Sequence, residues 1–321
     1  MDLASRVDPD LAVAFAGFTG ESLDRIEQLQ AVRRLEGQDA AALRANRPRM
    51  DGVDFADRVI EGSQGLPLAV RLYRSLTPNA HQPVLLWLHG GGYLLGTLES
   101  DYLLCSRIAR DLQCAVLAVD YRLAPEHPFP AALDDAHAAL QWLRTQAGAL
   151  GIDPARIAIG GASAGAGLAA GLALLNRDRG GATPRLQLLI YPMLDDRNET
   201  PSSREITDAR VWDRTKNLYA WRCYLGSSSG GDTVSPYAAP ARAADLHGLP
   251  PTYLAVGALD LFVDEDVAYA ARLLQAGVPT ELQVYPGAFH SFDGAVPSAP
   301  IARRFTANYL DALARAWGMA A

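Results

Sequence analysis

Cysteine is scarce in this chain. The three present, Cys105, Cys114 and Cys223, are odd in number and form no CxxC pair. That excludes a disulfide-stapled miniature domain and a cysteine-built zinc site. We read them as buried thiols, with pairing of Cys105 and Cys114 left open. A basic stripe is also missing: the formal net charge of -7 is spread along the chain, so neither phosphates nor an anionic bilayer would be neutralised. Nucleic acid and membrane are therefore not expected partners. No apolar run approaches the length of a spanning helix, and MDLASRVDPDLAVAFAGF lacks the Lys/Arg-led apolar core of a secretion signal. A cytoplasmic location is expected. His89, His127 and the acids near them do not have metal-ligand spacing, so no metal is expected. No internal repeat occurs, and the only low-complexity stretch is SSSGGD at 227–232.

What the chain does have is apolar material, 49% of 321 residues, enough for one large domain or two smaller ones. Residues 1 to about 50 place Leu11, Phe15, Phe18, Leu23, Ile26, Leu29 and Val32 at helical spacing, which predicts two or three helices outside any sheet. From Val53 the period changes. DFADRVI and LPLAVRLYR, around a turn at Gly62 to Gly65, predict a strand pair at an antiparallel edge. Short apolar runs at 84–88, 115–119, 156–159, 186–191, 252–256 and 281–285 predict interior strands, alternating with helices at 131–147, 165–177 and 265–276. This is the α/β pattern of a mostly parallel, doubly wound sheet covered on both faces. A last helix is expected at 301–317. Residues 195–249 break the alternation with Trp212, Tyr219, Trp221 and Tyr224, as a lid or as a surface excursion packed on its own aromatics. The chain thus divides into N-terminal helices at 1–50 and a body at 51–321, with an insertion at about 195–245. The last strand offers an edge for a homodimer unless a terminal helix covers it.

The strongest local signal is RIAIGGASAGAGLAAGLAL, which sets Ser163 between a strand and a helix inside Gly161-x-Ser163-x-Gly165. A strand turning this sharply into a helix leaves no room for side chains at the two glycines, and it holds the serine oxygen at the positive helix end. Ser163 could instead merely cap the helix. A dinucleotide loop is less apt, because no G-x-G-x-x-G register opens the first strand-helix unit. After the strand at 84–88 comes His89-Gly90-Gly91-Gly92, whose backbone can aim N–H groups inward. Gly91, Gly92 and Ala164 are the expected oxyanion donors, with His89 and Gly90 supporting the loop. His290 follows the strand at 281–285 and is the expected base; Asp260 follows that at 252–256 and is the expected orienter, with Asp293 as an alternative. Asp264, Glu265 and Asp266 are read as capping and dipole compensation for the next helix.

Taken together, HGGGYLLGT, DYRLAPEHPFPAA, GASAG, GLPPTYLAVGALD and GAFHSF resemble the hormone-sensitive-lipase-like family of α/β-hydrolases, also called bacterial family IV esterases, from about Val53 to the C-terminus. The resemblance implies an α/β-hydrolase fold with a helical cap made from the N-terminal helices and the segment after the sixth strand. It also implies cofactor-free ester hydrolysis, with Ser163, Asp260 and His290 as the catalytic residues. The working expectation is a serine carboxylic-ester hydrolase for small-molecule esters with short- to medium-chain acyl groups, acting through an acyl-enzyme. Phe15, Phe18, Tyr93, Leu94 and Trp212 are the pocket candidates. An amidase or lactonase on the same triad, or a noncatalytic binder on the same scaffold, are the alternatives. Asp120, Arg122, Glu126 and His127 are read as a scaffolding network beneath the site. Ala162 stands where the family often has an acidic residue, and Ala166 where it often has glycine, which points to altered local packing.

Overall fold

The computed structural model describes residues 3–48, 50–77 and 81–319. Two helices come first, α1 (Pro9–Ala16) and α2 (Ile26–Ala45), followed by the hairpin β1 (Val53–Glu61) and β2 (Pro67–Ser75). The alternating part then runs β3 (Gln82–Leu88), α3 (Tyr102–Asp111), β4 (Ala115–Val119), α4 (Ala131–Gln146), β5 (Ile152–Ala162), α5 (Ala164–Asp178) and β6 (Gln187–Ile190). Two cap helices, α6 (Pro201–Glu205) and α7 (Arg214–Leu225), precede β7 (Thr252–Gly257), α8 (Val263–Gln275), β8 (Thr280–Tyr285), α9 (Phe292–Ala295) and α10 (Pro300–Ala316).

The strands form one eight-stranded sheet in the order β1-β2-β4-β3-β5-β6-β7-β8. The β1–β2 and β2–β4 pairs are antiparallel, and every pair from β4 to β8 is parallel. Burial explains the sequence pattern. Every residue of β3, β4, β6 and β7 is buried, because helices cover both faces, and these strands read as continuous apolar runs. The edge strands β1 and β8 stay largely exposed or half-buried.

Helix α5 is apolar all round because it is buried all round, from Ala164 to Asn176. Its small residues are needed for close approach: a Cβ on Gly167 would stand 2.1 Å from the Met193 carbonyl oxygen, and one on Gly171 2.2 Å from that of Tyr237. The chain leaving β6 therefore lies directly against α5. Helix α1 turns Leu11 and Phe15 into the core, and its entry is fixed by Asp8, whose N–H donates to the Gly287 carbonyl at 2.9 Å. Helix α2 buries only Leu29 and Ala40, and its Arg33, Glu36 and Arg44 side chains bond it to the body. The three cysteines are free thiols, which settles the pairing of Cys105 with Cys114.

Two expectations about polar residues are corrected. Asp120, Arg122, Glu126 and His127 do not form one network. Arg122 pairs with Asp135 on α4 and reaches Ser63, whereas Glu126 pairs with Arg33 on α2. The acids at the start of α8 lie in its first turn, as dipole compensation requires, but no side chain caps the helix. Asp264 accepts from the Ser202 N–H of α6, and Glu265 accepts from the N–H groups of Leu194 and Asp195. Asp266 is fully buried, and neither of its carboxyl oxygens has a partner among the described residues. Burial pushes the Glu265 and Asp266 carboxyls well above the usual range.

Candidate active site

At the carboxyl ends of the parallel strands, β5 turns into α5 at Ser163, whose backbone takes φ 56° and ψ −121°. This left-handed conformation is strained for a serine and is imposed by crowding on either side. A Cβ on Gly161 would stand 2.4 Å from the Gly165 carbonyl carbon, and one on Gly165 would stand 2.1 Å from the Leu88 carbonyl oxygen. The two glycines let β5, α5 and the end of β3 meet, and Ser163 is the residue left projecting. Its side chain caps nothing, which removes the helix-cap reading.

Two other loops converge on it. His290, after β8, donates from Nδ1 to Asp260 Oδ2 at 2.7 Å, and its Nε2 lies 3.0 Å from Ser163 Oγ. Because a carboxylate only accepts, the ring proton sits on Nδ1 and leaves Nε2 free to accept from the serine hydroxyl. Asp260 is itself fixed by the Phe262 N–H, donated to Oδ1 at 3.0 Å. The imidazole is boxed edge-on by Tyr191 and Phe262, with ring centroids 4.8 Å and 5.2 Å away. Asp293, the alternative orienter, instead accepts from the Tyr191 hydroxyl at 3.1 Å.

The glycine loop after β3 lies over Ser163. Gly91 and Gly92 have φ of +115° and +62°, conformations open to glycine. Among the described residues no protein acceptor takes the N–H of Gly91, Gly92 or Ala164, so all three donors remain available. His89 is buried and stacks on Tyr121 at 4.2 Å, and its Nδ1–H donates to the Gly90 carbonyl at 2.8 Å. Burial pushes its pKa down to about 4, so it is a neutral prop of the loop.

A cavity of roughly 830 Å³ opens above Ser163 and His290. Phe18 and Trp212 line it as expected. Trp212 lies directly over the glycine loop, where its ring would be 2.3 Å from a Cβ on Gly92. Phe15, Tyr93 and Leu94 do not line the cavity. Phe15 is buried behind it against Phe18 and Phe289. Tyr93 takes a positive φ of 62°, which turns its ring inward onto Tyr224 at 3.9 Å, and Leu94 is fully buried. Trp221 and Tyr224 of the cap pack down on Tyr93 and so brace the glycine loop. Leu95, Val32, Glu36, Phe289, Tyr191 and Asp101 also line the cavity, and sequence reasoning missed them. The position of Tyr191, just past β6 at the carboxyl edge of the sheet, was the available signal. Asp101 accepts from the Trp87 indole at 2.7 Å. Burial, with the charge of Asp293 adding to it, raises its pKa to about 6. Ala162 also lines the cavity, so a methyl group occupies the wall where the family often carries an acid.

This arrangement can attack a carbonyl, shuttle one proton and stabilise one oxyanion. Comparison with known proteins agrees with that chemistry. A family model described as alpha/beta hydrolase fold matches residues 85–294. Esterase LipI of Mycobacterium tuberculosis is 38% identical over 269 residues, 83% of this chain and 82% of that protein. The ethyl acetate hydrolase of Pseudomonas putida is 36% identical over 295 residues, 89% of this chain and 92% of that protein. The solved structure of a bacterial heroin esterase superposes with a TM-score of 0.91 at 41% identity, covering 98% of each chain. The chain belongs to the α/β-hydrolase fold family, and its motifs agree with the hormone-sensitive-lipase-like branch.

Proposed function

We propose that Ser163, His290 and Asp260 hydrolyse carboxylic esters through an acyl-enzyme. The protein is a serine hydrolase of carboxylic esters, and the observation supporting these three residues is the single imidazole that bonds Asp260 on one side and Ser163 on the other. In the first half-reaction Ser163 Oγ attacks the ester carbonyl carbon while its proton passes to His290 Nε2. The negative oxygen falls among the N–H groups of Gly91, Gly92 and Ala164, and Asp260 steadies the imidazolium. The imidazolium then protonates the departing alkoxide. In the second half-reaction a water gives its proton to His290 and attacks the acyl carbonyl, and as that adduct collapses His290 returns the proton to Ser163 Oγ, which releases the acid and restores Ser163.

Substrates on this reading are small-molecule esters with short- to medium-chain acyl groups. Support comes from a cavity of roughly 830 Å³ lined by the bulky rings of Trp212, Phe18 and Phe289, and from similarity to a protein named for ethyl acetate hydrolysis. Within the pocket each added methylene gains at most about 0.8 kcal/mol, so preference should change gradually until a wall is met. Turnover of C2 through C12 p-nitrophenyl esters, beside a matched amide and lactone, tests this. The expected optimum lies at the short end with ester fastest; a C12 optimum, or a faster amide, refutes it. The reading also places the protein in a reducing compartment such as the cytoplasm, where its three free thiols persist, and includes a homodimer through the open β8 edge.

A further inference from the structure

We propose that cap helix α2 is part of the catalytic apparatus at one remove: Arg33 and Glu36 are positioning residues that hold the oxyanion loop in shape. The inference rests on the ester-hydrolase reading of the site and adds to it a function for a helix whose only assigned task is to cover the pocket.

The loop from His89 to Gly96 has no secondary structure to keep it in place. Its turn closes on the Gly91 carbonyl, which accepts from the N–H groups of Leu94 and Leu95 at 3.0 Å and 2.9 Å. From the body side it is held by the Tyr121 hydroxyl, donated to the His89 carbonyl at 2.7 Å, and by the Ala124 N–H, donated to the Tyr93 carbonyl at 2.9 Å. The far limb of the turn, Leu94 to Gly96, is held from the cap. Arg33 Nε donates to the Leu94 carbonyl at 2.9 Å, and its Nη2 donates to the Ala124 carbonyl at 2.6 Å. Glu36 Oε1 accepts from the Gly96 N–H at 2.8 Å. Spacing of three places both side chains on one face of α2.

Arg33 is anchored from its other edge, since Nη1 meets both oxygens of Glu126 at 2.8 Å and 2.9 Å. Its planar fork thereby bridges the oxyanion loop and the segment after β4, a geometry that a flexible ammonium does not reproduce. Gly96 fits tightly, because a Cβ there would lie 2.1 Å from the His89 ring. The loop is gripped between His89 beneath and α2 above. If α2 releases Leu94 and Gly96, the turn closing on Gly91 loses its outer support, and the Gly91 and Gly92 amides lose their aim while Ser163, His290 and Asp260 stay in place.

The test compares Arg33→Ala, Glu36→Ala and Glu36→Gln with Arg34→Ala, an exposed neighbour on the same helix. Arg33 does not line the cavity, so its removal takes no side chain off the pocket wall, whereas Glu36 does line it and Glu36→Ala is judged by kcat, ketone affinity and exchange rather than by KM. Arg33→Ala should lower kcat by about tenfold or more with KM within threefold, and should weaken a trifluoromethyl ketone, whose adduct oxygen occupies the hole, by a similar factor. Glu36→Gln keeps the acceptor for Gly96 and should stay near wild type, whereas Glu36→Ala should follow Arg33→Ala. Arg34→Ala should change nothing. Hydrogen exchange of the peptide covering 90–97 should quicken in Arg33→Ala and Glu36→Ala, whether or not the ester chosen is a good substrate. Unchanged kcat and ketone affinity in a folded Arg33→Ala, or unchanged exchange at 90–97, overturns the proposal. Wild type that turns over no ester while exchange still quickens refutes the ester-hydrolase reading instead.

Discussion

Replacing Gly165 with alanine tests the geometry of the nucleophile turn with one methyl group. The added Cβ would stand 2.1 Å from the Leu88 carbonyl oxygen and 2.3 Å from that of His89, both backbone atoms. Carbon and oxygen in contact settle at about 3.3 Å or more, so β3 and α5 must part by roughly 1 Å. One side of that gap begins the oxyanion loop, and the other carries Ser163 and the Ala164 N–H. Overpacking of this kind costs about 1–3 kcal/mol of stability, and a misplacement of about 1 Å between reacting groups costs about a hundredfold in rate. Gly37→Ala is the matched control: it sits inside α2 with nothing within 4 Å of the new methyl. It should gain about 0.5–1 kcal/mol from helix propensity with activity unchanged. Urea unfolding and kcat/KM on p-nitrophenyl butyrate, measured on both variants, give the answer. A folded Gly165→Ala with kcat/KM within threefold of wild type would show that the contact is not as tight as described and that the turn tolerates a side chain.

Asp101→Asn should stabilise the protein above neutrality. The carboxyl is raised from 3.8 to about 6, so the folded state binds the extra proton between those values and wild-type stability falls as pH rises through that window. Asparagine keeps an acceptor for Trp87, and its advantage should reach on the order of 2 kcal/mol at pH 8 and vanish near pH 4 in urea titrations. Trp212→Ala or Phe18→Ala should shift the acyl-length profile toward longer esters, because both side chains wall the cavity. An unchanged C2 to C12 profile in both refutes that. Phe15→Ala should leave the profile alone and cost about 3–5 kcal/mol in stability, since this ring fills core behind the wall.

The parts legible in the sequence were those fixed by local pattern. The glycines around Ser163 signal a turn because backbone crowding admits nothing larger, and His290 and Asp260 each follow a run of strand-forming residues. The parts not legible depended on which way a side chain points after an irregular turn. Tyr93 and Leu94 were one or two residues from the right answer: the positive φ at Tyr93 sends both into the core and leaves Leu95 on the cavity. Phe15 and Phe18, three apart on or just beyond α1, share a face, and only the docking of that face on Phe289 decides which of them reaches the pocket. The acids at 264–266 have the local pattern of a helix N-terminus, yet they answer to backbone groups and burial contributed by distant segments. Arg33 carried no signal at all, because its partners Leu94, Ala124 and Glu126 are brought to it only by the fold.

The most direct test of the account is the ester turnover of Ser163→Ala beside wild type, with circular dichroism to show that both are folded. The serine hydroxyl is the atom that His290 Nε2 faces at 3.0 Å, and alanine removes it while leaving the oxyanion donors in place. The account predicts a loss of at least about a thousandfold in kcat/KM with the fold intact. Near-wild-type turnover by a folded Ser163→Ala protein would contradict it.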